Sequence, residues 1–340
     1  MTHIAIENLV VDAYPWQGEI PAPARAAWER LWRTTQRPIF NTPEWCEAAK
    51  RTALIRPWRV VVIRDSHRVL GVLPLLLRTP WTAELCQPMA EDHPPLLIDP
   101  AAEDAVWGAL IDWLRERAGI GLLSLGRWRE AERIARFLYL ARERGAWGYA
   151  RRMEPDFWVA LPATWEAFLA GLGQHTRRNF HRREAQLRRD FSRVSIEVLT
   201  DWAAAEQALE EMIFLHRRRW LGQRGSYFDD PHRTRFYRRT LRWAFEQGYA
   251  ALPILRVRGR TITLATAFHI PGQREAYYHC LARDLDALPD LYSPGTVLLA
   301  HTLRWVIDRG ACAFSLGIGT GYYKSLVGGQ EYARSEVFLA

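Results

Sequence analysis

Lysine is nearly absent from this chain: of its 46 basic residues only Lys50 and Lys324 are lysines, so the formal charge of +8 is carried almost wholly by arginine. Cysteine is scarce too. Cys46, Cys86, Cys280 and Cys312 are scattered with no close pair, which gives neither a disulfide framework nor a zinc-ligand spacing, and no metal is expected. No apolar run approaches the roughly 20 residues that span a bilayer. The stretch Met1–Asp12 holds acidic residues and lacks a basic region followed by an apolar one, so no signal peptide is expected and the cytoplasm is the expected compartment. The chain has no His-Glu-x-x-His and no Gly-x-Ser-x-Gly, which leaves zinc-protease and serine-hydrolase chemistry without support. A Walker loop needs Gly directly before Lys, and Tyr323 stands there; the Gly317–Gly321 run has no long amphipathic helix after it and is not a dinucleotide fingerprint.

What is present fits a soluble α/β chain of more than one core. At 340 residues two domains are the default, and 49% hydrophobic with 25% charged residues is ordinary for a globular protein. Sixteen tryptophans point to thick cores or a cleft with flat apolar walls. The net positive charge fits a modestly basic enzyme or an anionic partner such as CoA, phosphates or nucleic acid.

The sequence repeats itself. Residues 57–78 read as an apolar strand, a short polar turn and a second strand, and residues 253–270 have the same shape. Residues 109–126 read as an amphipathic helix ending near Gly119, then a strand closing in Ser-Leu-Gly; residues 301–317 repeat this, with the helix ending at Gly310. Arg68 lies 58 positions before Gly126 and Arg260 lies 57 before Gly317, so both similarities hold at one offset. The pattern predicts two copies of one mixed α/β unit, over residues 1–150 and 151–340.

In the second copy, Thr164 caps a helix with Trp165, Phe168, Leu169 and Leu172 on one face. Its continuation is strongly basic, including Arg177, Arg178, Arg182 and Arg183, and is either a solvated face or a contact for an anionic group. A helix with Leu209, Met212, Ile213, His216 and Trp220 on one stripe follows. Another runs from His232 to Glu246, and strands then fill 252–258, 261–269 and 275–283. Ser293-Pro294-Gly295-Thr296 reads as a helix start, with Ser at the cap and Pro in the first turn; its amides and dipole suit a pyrophosphate, though a well-capped helix that binds nothing has the same sequence.

The order of several short motifs resembles the GNAT-like acetyltransferases of the CelD type, associated with cellulose biosynthesis. The matching stretches are Phe40-Asn41-Thr42-Pro43-Glu44-Trp45, Gly71-Val72-Leu73-Pro74-Leu75, Leu215-His216 with Trp220 before Gly225, Tyr292-Ser293-Pro294-Gly295, Phe314-Ser315-Leu316-Gly317 and Tyr323-Lys324. The resemblance spans nearly the whole chain and implies a tandem GNAT fold, shared with the Fem aminoacyltransferases of peptidoglycan synthesis. It implies an N-acyltransferase, an acetyltransferase first of all, that passes an acyl group from acetyl-CoA or another acyl-CoA to a small amine or sugar amine in polysaccharide or cell-envelope metabolism. Two departures stand out: Ser315 replaces an acidic residue common in the family, and the usual Gln/Arg-x-x-Gly-x-Gly/Ala pyrophosphate signature is missing before Ser293. The long helical arm of Fem enzymes is also missing, so nucleic acid is not an expected partner and tRNA enters only under a Fem-like alternative. A third alternative is a GNAT-like binding module without catalysis.

Acyl transfer to an amine needs loss of a proton from the amine, polarisation of the thioester carbonyl and protonation of the departing thiolate. The resemblance implies that Ser293, Gly295 and Thr296 hold the CoA pyrophosphate and that Tyr323 protonates the sulfur, with Tyr322 beside it; a packing aromatic is the bland alternative. His279 lies where GNAT enzymes often carry a base, and Asp284 at the end of the same strand can orient it or cap a turn. His216, Trp220, Arg178 and Lys324 are the candidates for contacting the substrate, with Lys324 the anchor for an anionic group.

Overall fold

The computed structural model describes residues 9–15, 20–52, 57–86, 96–116, 118–223, 225–319 and 321–340. The chain forms two compact units, one of residues 1–154 with 333–340 and one of residues 155–332. The division differs from 1–150 and 151–340 at its end: the last residues return to the first unit.

Unit 1 comprises β1 (Val10–Pro15), α1 (Ala22–Thr35), α2 (Pro43–Thr52), β2 (Trp58–Arg64), β3 (Val69–Thr79), β4 (Thr82–Leu85), β5 (Leu97–Ile98), α3 (Glu103–Glu116), β6 (Leu122–Trp128) and α4 (Ala131–Glu143). Strand β7 (Gly148–Ala160) carries the chain into unit 2. There follow α5 (Trp165–Gly171), α6 (Gln174–Asp190), β8 (Val194–Leu199), α7 (Trp202–Trp220), α8 (Pro231–Glu246), β9 (Ala250–Val257), β10 (Arg260–His269), β11 (Glu275–Arg283), α9 (Pro294–Asp308), β12 (Ala313–Ile318), α10 (Tyr322–Leu326) and β13 (Gln330–Leu339).

The repeat read from sequence is present as topology. In unit 1 the strands run β1-β2-β3-β4-β6-β13, antiparallel except for the parallel pair β4/β6. In unit 2 they run β8-β9-β10-β11-β12-β7, again antiparallel except for one parallel pair, β11/β12. A helix, α3 or α9, makes the crossover in each, as a parallel connection requires. Both parallel pairings are short: Thr82–Glu84 against Leu122–Ser124, and Glu275–Tyr277 against Ala313–Ser315.

Periodicity explains which faces are buried. In α9, Val297, Leu298, Leu303, Val306 and Ile307 recur at helical spacing and are buried against Leu255, Ala265, Tyr278 and Phe314 of the sheet. In unit 1, Trp107 of α3, Trp128 of β6 and Phe137 of α4 pack ring to ring with centroids 4.9–5.5 Å apart. The tryptophans Trp28, Trp45 and Trp107 are likewise wholly buried, so much of the ring content serves the cores. Cys46 of α2 and Cys86 after β4, distant in sequence, meet as free thiols in the core of unit 1; burial, reinforced by the Cys46 thiol, pushes the Cys86 thiol up.

Candidate functional site

Strand β11 continues to Arg283 and β12 to Ile318, yet their pairing stops at Tyr277 and Ser315. Beyond that point the two strands part. At the same level β11 bulges against β10: the register steps from Ala265 opposite Leu281 to Ala267 opposite Tyr278, so that Thr266 faces both His279 and Cys280. A polar cluster holds this bulge. The Thr266 hydroxyl accepts the Cys280 amide at 3.1 Å and lies 2.6 Å from the Tyr237 hydroxyl, which in turn is 3.1 Å from Nδ1 of His279. The Tyr237 ring, from α8, is stacked on the imidazole with centroids 5.7 Å apart.

The proton order in this cluster follows by elimination. Thr266 is fully buried and its hydroxyl hydrogen has one acceptor within reach, the Tyr237 oxygen. Tyr237 therefore donates its own proton to Nδ1 of His279. Nδ1 is then an acceptor, and the neutral imidazole carries its hydrogen on Nε2. In this tautomer the Nδ1 lone pair of His279 is engaged by Tyr237.

Tyrosines flank the parted strands. Tyr278 is buried beside Phe314 of β12, with ring centroids 6.0 Å apart. Burial, and after it the neighbouring Tyr323, pushes the Tyr278 phenol far above its ordinary range. Tyr323, on α10, packs against the same core. Burial raises its phenol as well, opposed by the Arg219 guanidinium at the end of α7. Tyr323 is thus held protonated next to Tyr278 and within electrostatic reach of Arg219. Burial pushes the Cys280 thiol up to about 12, away from the thiolate form.

Helix α9 begins after the loop 284–293 that follows β11. Ser293 adopts a left-handed conformation, φ 46° and ψ 51°, which sends its hydroxyl back to the Asp290 carbonyl. Its side chain therefore does not cap the helix, contrary to the reading from sequence. The Thr296 amide is taken by the Ser293 carbonyl at 2.9 Å. Gly295, second in the helix, precedes the first i→i−4 bond, so its amide lacks an intrahelical acceptor. A Cβ placed on Gly295 would meet nothing within 4 Å, so the space above this amide is open.

Several other candidates are tied up elsewhere. Asp284 is buried and accepts from Arg260 at 2.5 and 3.0 Å, with Arg218 of α7 3.6 Å away; these guanidiniums, not an imidazole, are its partners. It braces the end of β11 and orients no base. Lys324 is buried as well. Its ammonium donates to the Gly317 carbonyl at 2.8 Å and the Ile318 carbonyl at 2.6 Å, so it closes the turn after β12 and is not an exposed anion anchor. His216 places Nδ1 2.7 Å from the Ser226 hydroxyl, edge-on to Phe228 at 5.1 Å, with Trp220 at 6.2 Å; the three tie α7 to the following turn. Arg178 is exposed on α6, and Tyr322 is exposed beside Tyr323.

Sequence reasoning passed over Tyr237, Thr266, Tyr278 and Arg219. Tyr278 had a local signal, being adjacent to His279 on an apolar strand; the contacts of Tyr237 and Thr266 with His279 are long-range and had none.

The equivalent junction in unit 1 is built differently. Helix α3 opens with Glu103 and Asp104, which pair with Arg133 and Arg136. Carboxylates at a helix start already satisfy its dipole and repel a pyrophosphate.

Residues 174–325 match the family profile of the Acetyltransferase (GNAT) domain. No curated protein matches the sequence. Among solved structures, FemX superposes with a TM-score of 0.66 at 10% identity, covering 93% of this chain and 96% of that one. The C-terminal domain of a proposed lysylphosphatidylglycerol synthetase from Agrobacterium fabrum gives 0.58 at 11% identity, covering 94% and 91%. A tandem GNAT protein from the clavulanic acid biosynthesis pathway gives 0.51 at 15% identity, covering 97% and 98%. The chain therefore has a tandem GNAT fold with a GNAT domain in its C-terminal part.

Proposed function

We propose that unit 2 is an N-acyltransferase that moves an acyl group from acyl-CoA, acetyl-CoA first among them, to the amine of a small molecule or sugar in the cytoplasm. The observation that carries this reading is the parting of β11 from β12, followed along the chain by the open start of α9, inside the stretch that matches the GNAT domain. The parted strands leave room for an extended thioester arm. The Gly295 amide and the positive end of α9 suit its pyrophosphate.

Bound acyl-CoA supplies a carbonyl already activated as a thioester. Attack by the neutral amine forms the C–N bond as the C–S bond breaks; the nitrogen releases its surplus proton to solvent water, and the sulfur takes up a proton from an acid. Tyr323, kept protonated by burial beside the parted strands, is our candidate for that donor. His279 stands on β11 in the polar cluster that holds the bulge at this level. Ser293 and Thr296 contribute through backbone shape, and His216 and Trp220 through the fold of the α7 corner. We assign no direct substrate contact to Asp284 or Lys324.

A second reading, aminoacyl transfer from an aminoacyl-tRNA in the manner of Fem enzymes, is favoured by the loop before α9. It lacks the pyrophosphate signature. The two donors separate in a thermal-shift experiment. Acetyl-CoA at 100 times its dissociation constant should stabilise the chain by about 2.7 kcal/mol under the first reading. Stabilisation by charged tRNA alone would favour the second, and by neither, a non-catalytic module.

A further inference from the structure

Helix α6 holds six arginines and two histidines against Glu184 and Asp190, and its two halves use their charge differently. In the second half the arginines are spent. Arg183 donates to the Leu291 carbonyl, Arg188 pairs with Glu184 at 2.7 Å, and Arg189 pairs with Asp190 at 2.7 Å. In the first half Arg177 and Arg178 form no ion pair with any described residue, and Arg182 meets only the neutral amide of Asn179, at 2.8 Å.

This charge sits at the wrong end of the helix for the helix itself. A helix start is its positive pole and favours acids. In unit 2, α5 begins with a Thr164 cap and Glu166, and α7 with an Asp201 cap and its arginines at the far end. Helix α8 also starts basic, but its Arg233 pairs with the capping Asp230 at 3.4 Å. Helix α6 starts on Gly173, with no capping side chain and no acid in its first turn, and places Arg177 and Arg178 in succession where that turn ends. An external anion removes both defects, by neutralising the guanidiniums and accepting the unpaired amides of the first turn.

The shape of the cationic surface points to an extended anion. His175, Arg178 and Arg182 are exposed and follow one another at single-turn spacing, a row of about 10 Å along the helix. Beside it the loop before α9 exposes aliphatic side chains. Leu291, joined to α6 through Arg183, is 50% exposed, and Leu285 in the same loop is 53% exposed. The end of α7, held to this loop by Arg218 at Asp284 and Asp286, exposes Leu221 at 82%. The exposed acids of the loop, Asp286 and Asp290, are already paired, with Arg218 and Arg283. Single-stranded RNA is gripped by aromatic platforms between cations, and aliphatic side chains do not stack bases. Unpaired arginines on a helix joined to the exposed Leu291 match an anionic lipid surface, where phosphates meet the cations and aliphatic side chains enter the interfacial layer.

We propose that the first two turns of α6, with the leucines of the 284–293 loop, dock unit 2 on an anionic lipid surface. The acceptor amine would then be met at that surface.

The test is sedimentation of the full-length chain with vesicles of phosphatidylglycerol mixed into phosphatidylcholine, against pure phosphatidylcholine. Binding should require the anionic lipid and weaken with salt. Each arginine should contribute roughly fivefold, so that neutralising all three loses about a hundredfold in affinity and the reversal Arg177→Glu/Arg178→Glu/Arg182→Glu loses more. The same charge change on α8, Arg235→Glu/Arg239→Glu/Arg242→Glu, should lose far less, and Leu291→Asp should weaken binding several-fold. Circular dichroism checks that the variants fold, and the Arg→Gln triple replaces the reversal if it does not. No sedimentation of the wild type at low salt overturns the proposal. So does equal loss in the α8 control, or a short RNA that binds tighter than the vesicles and displaces them. The assay needs no turnover, so its failure is distinct from failure of the acyl-CoA reading.

Discussion

The Tyr237 hydroxyl stands 3.1 Å from Nδ1 of His279, and the Thr266 hydroxyl behind it decides which of the two carries the shared hydrogen. Because Thr266 can donate only to Tyr237, neutral His279 should be the Nε2–H tautomer, which nitrogen chemical shifts of labelled protein distinguish. Thr266→Val removes the donor that biases the cluster and leaves the Cys280 amide without its side-chain acceptor. It should give a mixture of tautomers and cost about 1–3 kcal/mol, with Thr266→Ser restoring both. A wild-type imidazole protonated on Nδ1 would refute the assignment.

Tyr323→Phe keeps the ring that packs against the core and removes the hydroxyl. If Tyr323 protonates the leaving sulfur, kcat should fall about 10²-fold or more with little change in KM. Where product release limits turnover, single-turnover rates carry the same comparison. An unchanged chemical step means that the phenol only packs.

Lys324 should behave as a structural residue. Its ammonium satisfies the carbonyls of Gly317 and Ile318, and Lys324→Met leaves both without that donor. The expected loss is about 2–4 kcal/mol in denaturant unfolding. Loss of substrate affinity in a variant of unchanged stability would return Lys324 to the role of an anion anchor.

How far these roles were legible depends on the range of the interactions. The doubled hairpin–helix–strand pattern was readable because each element carries its own periodicity, as in Val297, Leu303 and Val306 of α9. Element order is what puts the candidate site at the strand–loop–helix junction before α9. Side-chain roles set by distant partners were not: nothing local to Lys324 announces that the turn folds its carbonyls around it. Ser293 shows the limit even for a local signal. Its composition predicts a cap, but a left-handed backbone redirects the hydroxyl.

The buried phenols should make the fold sensitive to alkali. Burial raises Tyr237, Tyr278 and Tyr323 above the ordinary value of about 10 that they regain on unfolding. The folded chain therefore holds protons that the unfolded chain releases. This stability is fully present below pH ~10 and is lost as pH rises towards the folded values. Each such tyrosine removes about 1.4 kcal/mol per pH unit in that window. Urea unfolding between pH 9 and pH 11 should show this slope, and Tyr278→Phe should reduce it by one such increment; an identical slope would place the titration elsewhere.

Gly295 offers the cleanest test of the donor site, because fold and binding make separate demands on it. A side chain added there meets no neighbour within 4 Å, and the backbone is helical, so Gly295→Val should leave the fold intact. Near a helix start the change in propensity amounts to a few tenths of a kcal/mol. The added methyl groups would nevertheless stand over the amide that we assign to the pyrophosphate. If CoA lies there, Gly295→Val should weaken its binding at least tenfold by calorimetry while the unfolding midpoint moves little. Gly295→Ala, with one methyl, should fall between the two. Wild-type affinity in Gly295→Val would remove the start of α9 from the donor site, whatever the acyl group.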